Sequence, residues 1–374
     1  MVSTVKLNNG MEMPAIGLGT FWGKDLKMVI KISIRLGYRL IDTAFYYKNE
    51  KEIGEAIKDK IADGTVKRED LFVVEKLWNT QHRPERVLPA LEGCLARLQL
   101  DYVDMFLIHW PFAYQSDNEY AETGREETVS FTETWKAMEE CVRSGLAKSI
   151  GVSNFNKSQL DRLLKAAKVK PVVNQVECHP YLNQKELIEF CKKHKIVVMA
   201  YSPLFAPNRN FFNSNIFQDE IITRMANKYD KCNAQIVLRY LIQLGVVPIP
   251  KSEKPLRLKQ NLNVFDFEID VDDMRIIEKL NQNKRCVNWP HVVQTSKNAT
   301  NLKRHLERHH PGITNNDLVY DSDSSEESEC STQSQPQPQM PEEKKLKQLS
   351  LRKAIKRSGC AYASENPKKI RLDK

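Results

Sequence analysis

Short apolar runs alternate with amphipathic segments along the first 289 residues, and this alternation constrains the fold more than any other feature. The runs are YRLI (38–41), LFVV (71–74), VDMFLI (103–108), SIGV (149–152), VV (172–173), IVVMA (196–200), VVPI (246–249) and VFDF (264–267). Most are too short for helices and too uniformly apolar for half-exposed strands, which is typical of parallel strands buried on both faces. Helical spacing recurs between them, at Val87, Leu91, Cys94, Leu95 and Leu98 and at Ile236, Val237, Tyr240, Leu241 and Leu244.

Eight alternations of strand and helix predict an α/β fold, a closed (β/α)8 TIM barrel. A doubly wound sheet is the competing architecture, but no G-x-G-x-x-G opens a helix after any of these runs. TVKLNNGMEMP, before the first run, predicts an N-terminal β-hairpin that turns at Asn9-Gly10. The long connections 111–131 and 202–218 follow strands, and we expect them to act as functional lids.

The chain of 374 residues is long enough for such a barrel and an extension. We place the barrel domain in residues 1–289 and a tail in residues 290–374. Residues 321–345 are acidic and Ser-rich, then Gln- and Pro-rich, which predicts disorder. No stretch approaches the roughly 20 apolar residues that span a bilayer, and MVSTVKLNNG has no signal-peptide core. We therefore expect a cytoplasmic protein that does not bind a membrane.

The net charge of +9 is divided between the two regions, with +4 in residues 290–374 and +5 in the rest. Because the excess is spread over the whole chain, it does not identify a nucleic-acid-binding surface. The eight cysteines include no C-x-x-C pair. In a chain of this size they indicate reduced thiols rather than a disulfide framework or a metal site, and we predict no bound metal.

Polar residues follow the apolar runs at corresponding places. They are Asp42, Lys76, His109, Ser153-Asn154, Asn174-Gln175, Tyr201-Ser202 and Lys251. One such residue would mean little, because a lone Asp can cap a helix and a lone Lys can form a surface ion pair. The carboxyl ends of the strands of a barrel meet at one rim, so we expect these side chains to surround one mouth.

Three of these residues, Asp42, Lys76 and His109, together with Tyr47 suit the reduction of a carbonyl group, which needs a proton donor beside the carbonyl oxygen. Tyr47 can supply the proton, although a tyrosine with a pKa of about 10 is a weak acid. An ammonium from Lys76 about 4 Å away would favour the phenolate by roughly 4 kcal/mol and lower the pKa by as much as about 3. Asp42 would orient Lys76. His109 could bond the carbonyl oxygen or assist the proton transfer; alternatively, it is a core histidine.

Several consecutive motifs resemble the aldo-keto reductase family, and the aldose reductase and aldehyde reductase group in particular. They are LIDTAFYYKNEKEIGEAI, LFVVEKLWNT, MFLIHWP, IGVSNFN, VVNQVECHPYL, AYSPL and IPKS, and the resemblance covers residues 1 to about 289. It implies that Asp42, Tyr47, Lys76 and His109 form a catalytic tetrad. It also implies cofactor contacts by Gly19, Thr20, Phe21, Asp42, Ser153, Asn154, Gln175, Tyr201, Ser202, Leu204, Lys251, Ser252, Arg257 and Asn261.

The expected cofactor is NADPH, since Lys251 and Arg257 would place two cations where a dianionic 2′-phosphate binds. The substrate would be a small aldehyde or ketone, and we expect a monomer. Besides Tyr47 and His109, we expect aromatic side chains to form the apolar walls of the substrate site; the alternative for each of them is a place in the core. These are Trp22, Trp78, Trp110 and Phe112.

Two departures from the family pattern bear on function. Phe205 follows AYSPL where the family usually has glycine, and the similarity fades after residue 285, where the substrate-shaping C-terminal loop would begin. The tail instead resembles part of the BED-type zinc finger of hAT-family transposases, through NLKRHLERHHPG (301–312) with His305 and His310. Its cysteine pair is missing, so nucleic-acid binding is not expected. The alternative function is a catalytically impaired barrel whose basic tail binds nucleic acid.

Overall fold

Twelve strands and ten α-helices are present in the computed structural model, which describes residues 3–287 except residues 117, 122–124 and 206–215. The predicted domain boundary at residue 289, the tail 290–374 and its segment 301–312 lie outside the described residues. The strands are β1 (Thr4–Lys6), β2 (Glu12–Pro14), β3 (Leu18–Gly19), β4 (Leu40–Asp42), β5 (Phe72–Leu77), β6 (Met105–Ile108), β7 (Tyr114–Gln115), β8 (Arg125–Glu126), β9 (Ile150–Ser153), β10 (Val173–Glu177), β11 (Val197–Tyr201) and β12 (Val246–Pro248). The helices are α1 (Leu26–Leu36), α2 (Glu50–Ala62), α3 (Pro84–Leu98), α4 (Phe131–Arg143), α5 (Lys157–Ala166), α6 (Lys185–Lys193), α7 (Glu220–Tyr229), α8 (Asn233–Gln243), α9 (Pro255–Leu262) and α10 (Val271–Glu278).

Eight parallel strands form the central sheet, in the order β3-β4-β5-β6-β9-β10-β11-β12. Two backbone bonds join the last strand to the first, because Gly17 N–H donates to Pro248 O at 3.0 Å and Gly19 N–H donates to Pro250 O at 3.2 Å. The sheet therefore closes on itself, with helices between successive strands, and the (β/α)8 barrel is confirmed.

The apolar runs are continuous because both faces of each strand are covered. Val74 and Leu107 belong to the cluster inside the barrel, whereas their neighbours Val73 and Phe106 belong to the cluster under the helices. The two-residue period of a strand then places Lys76 on the inner face of β5.

The N-terminal hairpin was predicted correctly. Strands β1 and β2 pair antiparallel with Thr4 opposite Pro14, and Gly10 has φ 88° at the turn. Such a positive φ costs glycine nothing. Leu7 and Met13 pack with the residues that fill the barrel interior, so the hairpin covers the end where the strands begin.

Helix α3 buries the residues that the helical pattern predicted, Val87, Leu91, Cys94, Leu95 and Leu98. In α8, Ile236, Val237, Tyr240 and Leu241 are buried as well, and the helix ends one residue before Leu244. Helices α2 and α3 touch closely at Gly54, where an added Cβ would lie 2.0 Å from the carbonyl oxygen of Leu98. This contact requires glycine, because the atom opposite is backbone.

The eighth strand was wrongly predicted. VFDF (264–267) contains no strand; it connects α9 to α10, with Val264 packed against Ile16 and Leu238. The missing barrel strand is β3, which has only two residues and therefore shows no recognisable apolar run. The predicted number of barrel strands was right, but one of the eight predicted strands was wrong.

Of the two predicted lids, the structure describes most of residues 111–131 and only the ends of 202–218. The first connection contains the small hairpin β7–β8. It is fastened to the loop after β5, because Trp78 Nε1 donates to Ala121 O at 2.9 Å and Thr80 Oγ1 donates to Glu119 O at 2.6 Å.

Six cysteines lie among the described residues, all as free thiols and five of them buried. This agrees with the expectation of reduced core thiols. Within the described part of the chain, no helix combines the length and apolar character needed to cross a membrane.

Candidate active site

The centre of the site is a buried ion pair between β4 and β5. The Lys76 ammonium donates to Asp42 Oδ1 at 2.7 Å and to Thr43 O at 2.7 Å, and it lies 3.3 Å from the Tyr47 hydroxyl. Three acceptors use all three N–H donors of a lysine. The second carboxylate oxygen of Asp42 accepts from Gln175 Nε2 at 2.6 Å, so both charges are satisfied in the interior.

Burial raises the pKa of Asp42, although the Lys76 ammonium and the Gln175 amide oppose that rise. Both side chains of the pair are almost completely buried, with exposed fractions of 0% for Lys76 and 2% for Asp42. Breaking a buried pair by removing one partner leaves an uncompensated charge, which typically costs about 3–5 kcal/mol. The pair is therefore held rigidly behind Tyr47.

Tyr47 ends a short 3₁₀ helix, Phe45–Tyr47, directly after β4. Its ring lies 4.8 Å from that of Phe21 and 5.9 Å from that of His109, at a nearly perpendicular 78° to the latter. The expected lowering of the pKa of Tyr47 is wrong for this structure. Burial raises the pKa well above the usual value, and the negative charges of Asp42 and Glu75 raise it further. Desolvation of the phenolate outweighs the attraction of the ammonium.

His109 directly follows β6, and its backbone N–H donates to Leu77 O at 3.1 Å. Burial, followed by the charges of Lys76 and His82, holds the pKa of His109 well below its usual value, so the imidazole is neutral. Its Nδ1 has no hydrogen-bond partner among the described residues. A neutral imidazole has one N–H donor and one acceptor nitrogen, so His109 can bond a carbonyl oxygen.

A chain of hydrogen bonds connects the expected cofactor-binding residues to this centre. Tyr201 OH donates to Asn154 Oδ1 at 2.8 Å, and Asn154 Nδ2 donates to Ser153 Oγ at 3.1 Å and to His109 O at 3.0 Å. Ser153 Oγ donates to Gln175 O at 2.8 Å. These contacts join Ser153, Asn154, Gln175 and Tyr201 as expected, whereas the side chain of Asn174 bonds the backbone of Phe155 instead.

The expectation that the polar residues end their strands needs correction at two strands. Asp42, Ser153 and Tyr201 are the last residues of β4, β9 and β11. Lys76 lies inside β5, and Asn174 and Gln175 lie inside β10, because these strands continue through polar residues that the apolar runs did not include.

The segment Gly19–Trp22 lies beside Tyr47. Gly19 ends β3, and the buried Thr20 donates its hydroxyl to Asp42 O at 2.8 Å. Phe21 stacks on Trp22 with ring centroids 5.0 Å apart, and Trp22 is 68% exposed. An exposed aromatic ring next to the reacting group suits a substrate wall better than a core position.

The other predicted wall residues are more deeply placed. Trp78 is 1% exposed and stacks on Tyr46 with ring centroids 4.2 Å apart; it meets the His109 ring edge-on, with centroids 5.1 Å apart. Trp110 is 7% exposed and stacks on Phe112 at 5.6 Å. Trp78 therefore contributes mainly to the core that supports His109.

The residues after β11 have unusual backbone geometry. Ser202 has φ 48° and Phe205 has φ 58°, whereas Leu204 is half-buried against the core. The left-handed conformation at the position of Phe205 is the one glycine adopts without cost. Here the Phe205 ring packs edge-on against His179 and Tyr181, at 5.1 and 5.7 Å. This packing offsets the backbone strain.

The expected phosphate-binding group lies after β12. Lys251 is paired with Glu253 at 2.6 Å, and the buried Ser252 accepts from Lys254 N at 3.2 Å through its hydroxyl. The other two residues of this group, Arg257 and Asn261, belong to α9; Arg257 is exposed and Asn261 is buried. A cavity of about 420 Å³ is lined by both Lys251 and Tyr47.

Sequence reasoning missed a buried acid behind the site. Glu75 has no exposed surface, and its Oε1 accepts from Lys76 N at 2.9 Å, while its Oε2 has no partner among the described residues. Burial and the nearby Glu50 raise the pKa of Glu75 well above its usual value. Glu50 itself accepts two bonds from Arg97, at 2.8 and 3.0 Å. A glutamate within the otherwise apolar start of LFVVEKL was the sequence feature that could have indicated this buried acid.

Glu177, the last residue of β10, was also missed. Its carboxylate accepts from Cys286 N at 2.6 Å, from Val287 N at 3.0 Å and from the ring of His179 at 2.9 Å. The end of the described chain is thereby held at the carboxyl end of the barrel.

Two groups of buried side chains bring three potential metal ligands within 4.8 Å of one another, Glu177–His179–Cys286 and Glu50–Glu75–Cys94. Neither suits a cation. Both oxygens of Glu177 already accept hydrogen bonds from backbone amides. Arg97 supplies a cation beside the second group, with its guanidinium 3.3 Å from Cys94 Sγ.

Comparisons with known proteins agree with this architecture. The signature of the Aldo/keto reductase family matches residues 15–282. Dihydrodiol dehydrogenase 3 of Bos taurus is 46% identical over 297 residues, covering 75% of this chain and 92% of that protein. Aldo-keto reductase family 1 member A1 of Gallus gallus is 47% identical over 294 residues, covering 76% and 90%. A crystal structure of a Bombyx mori aldo-keto reductase in complex with NADP has 38% identity and a TM-score of 0.73, covering 77% of this chain and 95% of that one.

The chain belongs to the aldo/keto reductase family. It is an NADP-dependent oxidoreductase of that family, and carbonyl reduction is the general reaction that these similarities support.

Proposed function

We propose that this protein reduces aldehydes and ketones to alcohols with NADPH, and that Tyr47 is the general acid. The observation that carries the proposal is the position of the Tyr47 hydroxyl, 3.3 Å from the ammonium of Lys76, which is itself paired with Asp42 at 2.7 Å. A proton donor with a fixed cation behind it is what protonation of a carbonyl oxygen requires.

NADPH supplies a hydride to the carbonyl carbon when it is bound. Tyr47 donates its hydroxyl proton to the carbonyl oxygen, which leaves a phenolate. At 3.3 Å the Lys76 ammonium stabilises that phenolate by about 5 kcal/mol at an effective dielectric of 20. The raised pKa of Tyr47 keeps the proton in place until the oxygen becomes basic enough to take it.

His109 orients the substrate in this proposal. Because its pKa is held well below the usual value, the ring is neutral and can donate one N–H to the carbonyl oxygen without competing with Tyr47 as the acid. Trp22, Trp110 and Phe112 then supply apolar walls, with Trp78 supporting His109, and such walls favour aromatic aldehydes and apolar ketones.

The residues present fit NADPH at both ends. Lys251 and Tyr47 line the same cavity, so an anion at one end and a reactive ring at the other can be accommodated. We assign Tyr201, Ser153, Asn154 and Gln175 to the nicotinamide. Lys251, Ser252, Arg257 and Asn261 would hold the 2′-phosphate and adenine, with Gly19–Phe21, Ser202 and Leu204 beside the cofactor.

The test is whether the purified full-length protein oxidises NADPH in the presence of an aromatic aldehyde. The reaction is monitored through the loss of NADPH absorbance. Tyr47→Phe keeps the ring and removes the proton donor, so turnover should fall by about a hundredfold or more. Binding of NADPH, measured by fluorescence titration, should persist. Tyr46→Phe is the matched control, since it removes the neighbouring hydroxyl and should keep most of the activity. A Tyr47→Phe variant that turns over like the wild type would overturn the role of Tyr47.

The monomeric state, the cytoplasmic location and the absence of nucleic-acid binding stay proposals. If the alternative function holds, the full-length protein will bind DNA with an affinity that falls steeply with salt concentration.

A further inference from the structure

Glu253 forms an ion pair with Lys251, the cation that is expected to bind the 2′-phosphate of the cofactor. Its Oε1 lies 2.6 Å from the ammonium of Lys251. The same oxygen accepts from Lys24 N at 3.2 Å, which joins the loop after β3 to the loop after β12. One carboxylate oxygen therefore connects two loops at the edge of the site.

This pair faces the cavity that reaches Tyr47. Its ionic lining consists of Lys24, Lys48, Glu52, Lys251 and Glu253. An anion that enters this cavity approaches the ammonium of Lys251 and meets the carboxylate of Glu253 at the same place. Hydrogen bonding to Lys251 lowers the pKa of Glu253, so the carboxylate keeps its charge at neutral pH.

We propose that Glu253 weakens the preference of this protein for NADPH over NADH, because a 2′-phosphate must displace its carboxylate from Lys251. The inference rests on the proposed function, in which Lys251 binds that phosphate. NADH has no 2′-phosphate and leaves the pair intact. NADPH replaces the bond to Glu253 with a bond to phosphate and brings two anions close together. The preference for NADPH is thus weaker than Lys251 and Arg257 alone would produce.

The exchange is possible because the pair is not locked in place. The side chains of Lys251 and Glu253 are 38% and 37% exposed, so water screens their attraction and can solvate the carboxylate once it is displaced. A pair of this exposure changes an equilibrium by about fivefold at most. Glu253 is therefore expected to moderate the preference between the two cofactors rather than reverse it.

The experiment compares NADPH and NADH binding to full-length wild type and Glu253→Gln by fluorescence titration at low ionic strength, where screening is weakest. Glu253→Gln should bind NADPH about fivefold more tightly, with NADH unchanged. The matched control is Glu186→Gln on α6, whose carboxylate also pairs with a lysine at 2.6 Å, Lys157, and whose loss changes the net charge equally. The control should bind both cofactors like the wild type.

A Lys251→Met variant separates failure of this inference from failure of the proposed site. If Lys251→Met weakens NADPH binding about tenfold, as loss of a charged hydrogen bond implies, while Glu253→Gln leaves it unchanged, Lys251 binds phosphate and the role of Glu253 is overturned. If neither substitution changes NADPH binding, the phosphate site itself is misplaced. Tighter binding of both cofactors by Glu253→Gln would also overturn the proposal, because the effect would not depend on the 2′-phosphate.

Discussion

Glu75→Gln replaces a buried acid with an amide of the same shape, and we expect it to stabilise the barrel in a pH-dependent way. Glu75 has no exposed surface, and one of its oxygens accepts from Lys76 N at 2.9 Å. A glutamine oxygen can keep that bond. The new NH₂ group takes the place of Oε2, which has no partner among the described residues, and it carries no charge near the carboxylate of Glu50.

The direction of this pH dependence follows from the pKa of Glu75, which burial and the charge of Glu50 raise. A carboxyl group whose folded-state pKa is raised contributes stability that is fully present below its unfolded pKa. That stability is lost as the pH rises toward the folded pKa. Above the ordinary value of 4.5, the wild type should lose about 1 kcal/mol relative to the variant over the first pH unit. Each further pH unit, up to the pKa of Glu75 in the folded state, should add about 1.4 kcal/mol to this loss.

The assay is urea unfolding of both proteins, followed by tryptophan fluorescence from about pH 4.5 to about pH 7.5. Glu52→Gln, at an exposed position of α2, is the control and should show no such trend. A difference between wild type and Glu75→Gln that stays constant with pH would refute the reasoning, because it would mean that Glu75 ionises in the folded state as it does in the unfolded chain.

Two further predictions concern packing and the end of the described chain. Gly54→Ala should destabilise the fold by about 3 kcal/mol, because its Cβ would lie 2.0 Å from Leu98 O. Gly93→Ala, with no backbone atom close to its Cβ, should be neutral or stabilising; thermal melts that show equal losses would contradict this. Glu177→Gln should leave an amide of 286–287 without its acceptor and accelerate its hydrogen exchange; unchanged exchange would contradict the observed bonds.

Much of the fold could be predicted because strands buried on both faces leave continuous apolar runs. Seven of the eight runs contain or overlap a barrel strand, and VFDF (264–267) is the exception. Its apolar residues pack in an irregular segment, and local hydrophobicity does not distinguish that from a strand. The two residues of β3 are held by backbone bonds to neighbouring strands, which no local pattern reveals.

The polar residues that meet at the site could be predicted from their positions relative to the runs, together with the family resemblance. The direction of the pKa shift of Tyr47 could not, because it depends on how completely the phenol is desolvated and on Glu75, which lies on the outer face of β5. The role of Glu253 was equally hidden. It lies two positions after Lys251 in the chain, but the contact with Lys24 depends on the closure of the barrel.

The two ends of the described chain emerge from opposite ends of the barrel. The N-terminal hairpin covers the end where the strands begin, whereas Val287 is fastened to Glu177 where a strand finishes. For immobilisation on a sensor surface, a tag ahead of Ser3 should leave the entrance to the site facing the solution. A tag joined directly to a chain shortened to Val287 should turn that entrance toward the support.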